Sequence, residues 1–188
     1  MKHWTVFKWY NRRANYVSGF DELGNPTYTA DKDKAYKFYD TRKVVQLHNN
    51  GHFIGEDQYN YGHIEYEEAS VSDLLGKTLA HIDVDRKIIT FFCDDGSIYK
   101  MLHYQDCCES VYVEDICGNV DNLIGKPLTM AEDISNMCDK GPEDRGDESY
   151  TWTWYKFATI RGYVTIRWYG TSNGYYSESV DFARLELK

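Results

Sequence analysis

The chain has 188 residues, 42% hydrophobic and 16% aromatic, with 21 basic against 30 acidic side chains and a formal charge of -9. That length fits one ordinary domain or two small ones, and the acidic balance argues against gripping bare nucleic acid through phosphate neutralisation. No run of about eighteen apolar residues appears and MKHWTVFKWYNRR has no signal-peptide core, so the sequence predicts neither a membrane span nor a targeting segment.

Strand composition appears first in His3 to Trp9 and Asn15 to Phe20, and the turn chemistry of Asp21 to Pro26 ends the second of these strands. Ala35 to Tyr39 reads as a further strand. Thr41 reads as the N-cap of a short helix, Arg42 to Asn49, stopped by Asn50-Gly51. Residues 1–65 are thus expected to form a small αβ unit ending in a linker, Gly51 to Gly62, and residues 66–188 a β-rich domain. There, Ser70 to Gly76 reads as a capped helical turn. Leu79 to Val84, Lys87 to Cys93 and Ser97 to His103 read as strands, with a tight turn at Asp94-Asp95-Gly96. Asp121 to Gly125 reads as a turn with a glycine stop, and Pro127 to Ile134 as an edge strand because of its proline. After a polar loop, Cys138 to Ser149, the segments Tyr150 to Ile160, Tyr163 to Tyr169 and Tyr175 to Leu187 predict a three-stranded antiparallel meander. One side of it carries Trp152, Trp154, Ala158 and Ile160, and the next strand carries Val164, Ile166 and Trp168. The fold class expected is α+β, mostly antiparallel sheet with a few short helices.

The run Gln105 to Gly118, QDCCESVYVEDICG, puts three thiols and four acidic side chains into fourteen residues. Neighbouring carboxylates repel, and thiols beside them resist ionising, so a cation, a basic partner or a packing corner must answer the crowding. Zinc would draw on His103, Cys107, Cys108 and Cys117, with Cys93 or Cys138. The cysteines lack the close pairing on a turn that structural zinc sites show, which favours thiols packed in the core. Mg²⁺ or Mn²⁺ would draw on Asp106, Glu109, Glu114 and Asp115, with Lys100 or His103 nearby, against the plainer reading of a solvated acidic edge. Cys107 or Cys108 as a nucleophile with His103 is disfavoured by the acids alongside. Adjacent Cys107 and Cys108 are expected on opposite sides of a strand, and an odd total of five cysteines points to a reduced, cytosolic protein. In WYGTSNGYYSE, the glycines turn the C-terminal strands and place Trp168, Tyr169, Tyr175, Tyr176 and Glu178 around a tip suited to contacting a protein.

The blocks QDCCESVYVEDICGNVDNLIG and TWTWYKFATIRGYVTIRWYGTSNGYYSESVDF resemble an uncharacterised family of phage and prophage proteins over roughly Leu74 to Phe182, with residues 1–65 outside it. The resemblance implies a bacteriophage accessory protein in the bacterial cytoplasm, of the small acidic kind that often look like inhibitors of host defence, including anti-CRISPR proteins. It implies no cofactor and no catalytic residue. The expectation is a non-enzymatic protein that binds a host protein's basic, nucleic-acid-binding surface through Asp106, Glu109, Glu114, Asp115 and the aromatic tip. A sponge for a signalling nucleotide and a divalent-metal enzyme acting on nucleic acid or nucleotides stand as alternatives.

Overall fold

Alternating apolar and polar residues dominate the sequence, and that period of two sets the architecture as antiparallel sheet. A computed structural model describes residues 3–10, 13–55, 64–137 and 148–187. The chain divides into two units, Met1–Glu65 with Glu186–Lys188, and Tyr66–Leu185.

In the first unit, β1 (Val6–Tyr10), β2 (Arg13–Phe20), β3 (Pro26–Thr29) and β4 (Phe53–Ile54) form a sheet in the order β3-β2-β1-β4. Helix α1 (Thr41–Asn49) supplies Val44 and Leu47 to a core shared with Val6, Val17, Phe38 and Ile54. Its N-cap is Asp40 rather than Thr41: the carboxylate accepts from the Arg42 amide at 2.9 Å, and an acidic cap also suits the helix dipole. Ala35 to Tyr39 is not a strand, because only Phe38 bridges, to Trp4. β3 starts at a proline, which an edge strand tolerates. β4 lies within the segment expected to be a linker, and residues 56–62 of that segment fall outside the described residues.

The second unit holds two sheets. One runs β10 (Met130–Met137), β11 (Ser149–Thr159), β12 (Gly162–Ser172), β9 (Ser110–Cys117). The other runs β5 (Ile64–Glu68), β13 (Asp181–Leu187), β8 (Ile98–Leu102), β7 (Ile89–Cys93), β6 (Leu79–Val84). Their core joins Phe91, Phe157, Phe182, Trp168 and Leu123, with the Phe91 and Phe157 rings 5.3 Å apart. The β7–β8 turn is held by Asp95, whose carboxylate accepts from the Ser97 amide at 2.9 Å and from Lys77 Nζ at 2.6 Å; the Lys77 bond, first among these contacts, holds its pKa well below the usual range. Ser70 caps the 3₁₀ turn Val71–Leu74 with a capping box closed by Asp73. The proline-flanked β10 is an edge strand. The polar loop expected at Cys138 to Ser149 lies outside the described residues from 138 to 147.

The structure corrects two further expectations, in the C-terminal strands. Only two of the three expected strands pair with each other: β12 is flanked by β11 and β9, so it offers no edge, and β13 pairs instead with the open edge of β8. The inward side of β11 is Thr151, Thr153, Tyr155, Phe157 and Thr159, while Trp152, Trp154 and Ala158 lie on the half-buried side and Ile160 is 85% exposed. Register decides this, because Tyr155 and Phe157 oppose Ile166 and Val164, whereas Trp154 opposes Arg167. Phe157→Ala is therefore expected to cost about 3–5 kcal/mol, and Ile160→Ala within about 0.5 kcal/mol, in urea denaturation. A large loss at Ile160 with little at Phe157 would reverse the assignment of faces.

Candidate functional site

Two loops of the second unit meet: residues 103–109, between β8 and β9, and residues 173–180, between β12 and β13. Glu109 lies under the first loop, 2% exposed. Its carboxylate accepts from the amides of Asp106 and Cys107, the latter at 3.0 Å, and faces His103 Nε2 at 3.3 Å. His103 Nδ1 donates to the Ser179 carbonyl at 2.8 Å, fastening one loop to the other. Gln105 Nε2 closes the first loop by donating to the Glu109 carbonyl at 3.1 Å. In the second loop, Glu178 is 8% exposed and accepts from Thr151 Oγ1 and Ser172 Oγ, each at 2.7 Å. Its backbone passes so close to Gly170 that a Cβ there would stand 2.4 Å from the Glu178 carbonyl oxygen, which is why that strand position is a glycine.

Electrostatics follows from these bonds. Burial alone pushes the Glu109 carboxyl up, but the amides of Asp106 and Cys107 and the His103 ring outweigh it and hold the group at about 2. The hydrogen bond between Tyr176 and Cys107 pushes the Tyr176 phenol up, and the bond between Cys107 and Cys108 pushes the Cys108 thiol up. Cys108 is therefore less of a thiolate, and a poorer nucleophile or metal ligand, than a free cysteine.

The sequence-predicted residues part company in this geometry. Cys107, Cys108 and Cys117 are exposed, not core; among the described cysteines only Cys93 is buried. Cys107 and Cys108 occupy a bend rather than a strand, because the chain leaves β8 after Leu102 and resumes pairing only at Ser110. Glu109, Trp168, Tyr169 and Glu178 are buried at 2%, 1%, 3% and 8% exposure, so their side chains are not presented to a partner. Asp115 pairs with Arg167 of β12 at 3.0 Å, and Glu114 is the extra residue of a bulge opposite Arg167 and Trp168. Asp106 and Tyr175 are exposed, Tyr175 at 91%, and Tyr176 is half-buried beside the thiols.

The proposed metal ligands do not converge: among the described residues no group of three His, Cys, Asp or Glu side chains is placed to hold a metal, and Cys138 lies outside those residues. Among the same residues no helix is long and apolar enough to cross a membrane. Sequence reasoning singled out both loops but not their junction. The junction rests on the burial of Glu109, and burial of a carboxylate is not visible in a sequence.

Glu109 carries a pH test. Its pKa falls on folding from an ordinary 4.5 to about 2, so its contribution to stability is complete above the unfolded value and is lost as pH falls through that window. Glu109→Gln is expected to be less stable than the wild type at neutral pH, and the gap between their urea midpoints is expected to narrow steadily as pH drops from about 4.5 towards about 2. A gap that stays constant across that range would remove the ionised carboxylate from its role as the loop's anchor.

Comparison with curated proteins and with solved structures returned no match. A family model does match, over residues 72–182, from the 3₁₀ turn that follows β5 to the start of β13, and so spans both loops, the whole of the β10-β11-β12-β9 sheet and β6, β7 and β8 of the other. On that match the chain belongs to the family described as Domain of unknown function (DUF7448).

Proposed function

We propose that the protein is a non-enzymatic, phage-encoded binding protein that inhibits a host defence protein in the bacterial cytoplasm, in the manner of an anti-CRISPR protein. We read its architecture as α+β, with a small N-terminal αβ unit beside the antiparallel domain. The observation that carries the binding reading is the loop pair. Half-buried His103 and buried Glu109 and Glu178 fix the two loops from beneath, so that Asp106 and Tyr175 stand at the surface beside half-buried Tyr176 with little ordering left to be done on binding. An aromatic and acidic patch of that kind suits a basic protein surface, because tyrosine offers contact area at low entropy cost and a chain of charge -9 speeds encounter with a cationic partner. The phage setting rests on the resemblance of the two sequence blocks. The engagement of both His103 ring nitrogens and the raised pKa of Cys108 weigh against thiol or metal catalysis at this place.

The test is capture of partners by tagged wild-type protein and by the Asp106→Lys/Tyr175→Ala double variant from a bacterial lysate, at low and moderate salt. The expected outcome is a stoichiometric protein with a nucleic-acid-binding surface, lost from the variant, weakened by salt, and inhibited in its own nucleic-acid binding by the wild type. Equal retention of every captured protein by wild type and variant would refute the reading.

A further inference from the structure

A cavity of about 560 Å³ lies in the second unit, where the edge strand of each sheet comes to the surface. Tyr66 and Glu68 of β5 border it on one side, Asp133 of β10 and Tyr155 of β11 on another, and Tyr104 and Asp181 close it. Its chemistry is one-sided. Carboxylates arrive from three different strands, and three phenol rings stand among them. Tyr66 and Tyr104 meet edge to face with ring centres 6.2 Å apart, and the Lys100 ammonium lies 5.7 Å from the Tyr66 ring centre.

Tyr155 is the informative member. It is 4% exposed, it lies directly across the strand pair from Asp133, and its hydroxyl has no hydrogen-bond partner among the described residues although it lines the cavity. A hydroxyl without a partner, carried by a side chain that is nine-tenths buried and lines a cavity, is open to a bond from a ligand or water. Burial first, then Asp133 and Asp181, raise the Tyr155 phenol, and burial likewise raises Tyr66 and Tyr104, so all three rings stay neutral and electron-rich at physiological pH.

A nucleotide is a poor match, because its phosphates would face Glu68, Asp133 and Asp181. A single metal ion is also a poor match, since no three such side chains are close enough together among the described residues to share one. What satisfies acceptors spread over several strands, with aromatic faces between them, is a donor-rich organic cation. We propose that this cavity binds an alkylammonium ligand, either a free aliphatic polyamine or the lysine side chain of a partner. The carboxylates of Glu68, Asp133 and Asp181 would receive its ammonium groups, the Tyr66 and Tyr104 rings would flank its chain, and the Tyr155 hydroxyl would complete its hydrogen bonds.

The experiment is isothermal titration calorimetry of the full chain with three probes, namely spermidine, N-acetyl-lysine amide and Mg²⁺. Saturable binding of spermidine assigns a free polyamine; saturable binding of the lysine amide alone assigns a partner's side chain. Asp133→Asn is expected to weaken binding about tenfold, the scale of a charge-assisted contact. Tyr155→Phe, which breaks no bond within the protein, is expected to fold normally and to weaken binding by about two- to tenfold. Asp83→Asn, on β6, is expected to leave it unchanged. Binding of neither organic cation, tight binding of Mg²⁺ instead, or equal weakening by Asp83→Asn and Asp133→Asn would overturn the proposal. The substituted residues Asp133 and Tyr155 lie on β10 and β11, outside both loops, so the cavity and the loop reading are tested by different variants.

Discussion

Everything functional in the second unit depends on β12 having no free edge. With β11 bonded along one side and β9 along the other, the chain leaving β12 at Ser172 cannot fold back beside β12 as a hairpin. It crosses instead to the second sheet and pairs with β8. That crossing brings residues 173–180 against the loop between β8 and β9, where Ser179 meets His103, and delivers Asp181 to the rim of the cavity. Gly170 permits the crossing, since any side chain there would collide with the returning backbone at Glu178.

The crossing chain carries polar groups into poorly solvated places, and each is met by a specific partner. Glu178 receives two hydroxyls and Glu109 receives amides and an imidazole. A buried carboxylate is tolerable only when its lone pairs are filled, and removing one partner costs more than the pair contributes. These residues are therefore best understood as fasteners beneath the surface. The exposed neighbours that they position, Asp106 and Tyr175, remain available for contact.

The acidic crowding that marks the sequence is resolved in three different ways along one strand and its approach. Glu109 turns inward to backbone donors, Asp115 pairs with Arg167, and Asp106 stays in water. The bulge at Glu114 separates these fates, because it shifts the inward side of β9 from Val111 and Val113 to Ile116, opposite Ile166.

Local chemistry legible in the sequence determined the antiparallel strand content, the β7–β8 hairpin at Asp94-Asp95-Gly96, the Ser70-capped turn and the helix ahead of Asn50-Gly51. In each, neighbouring residues suffice: a turn dipeptide, a cap or a period of two. Tertiary structure alone decided which sheet received β13, which face of β11 turned inward and where the thiols lay. Alternation defines two faces but does not say which is buried, and the aromatic Trp152 and Trp154 side looked as apolar as the Tyr155 and Phe157 side that packs on Phe91. The cavity was invisible for the same reason, since Tyr66, Tyr104, Tyr155, Glu68, Asp133 and Asp181 are scattered along the chain and only the stacking of two sheets gathers them.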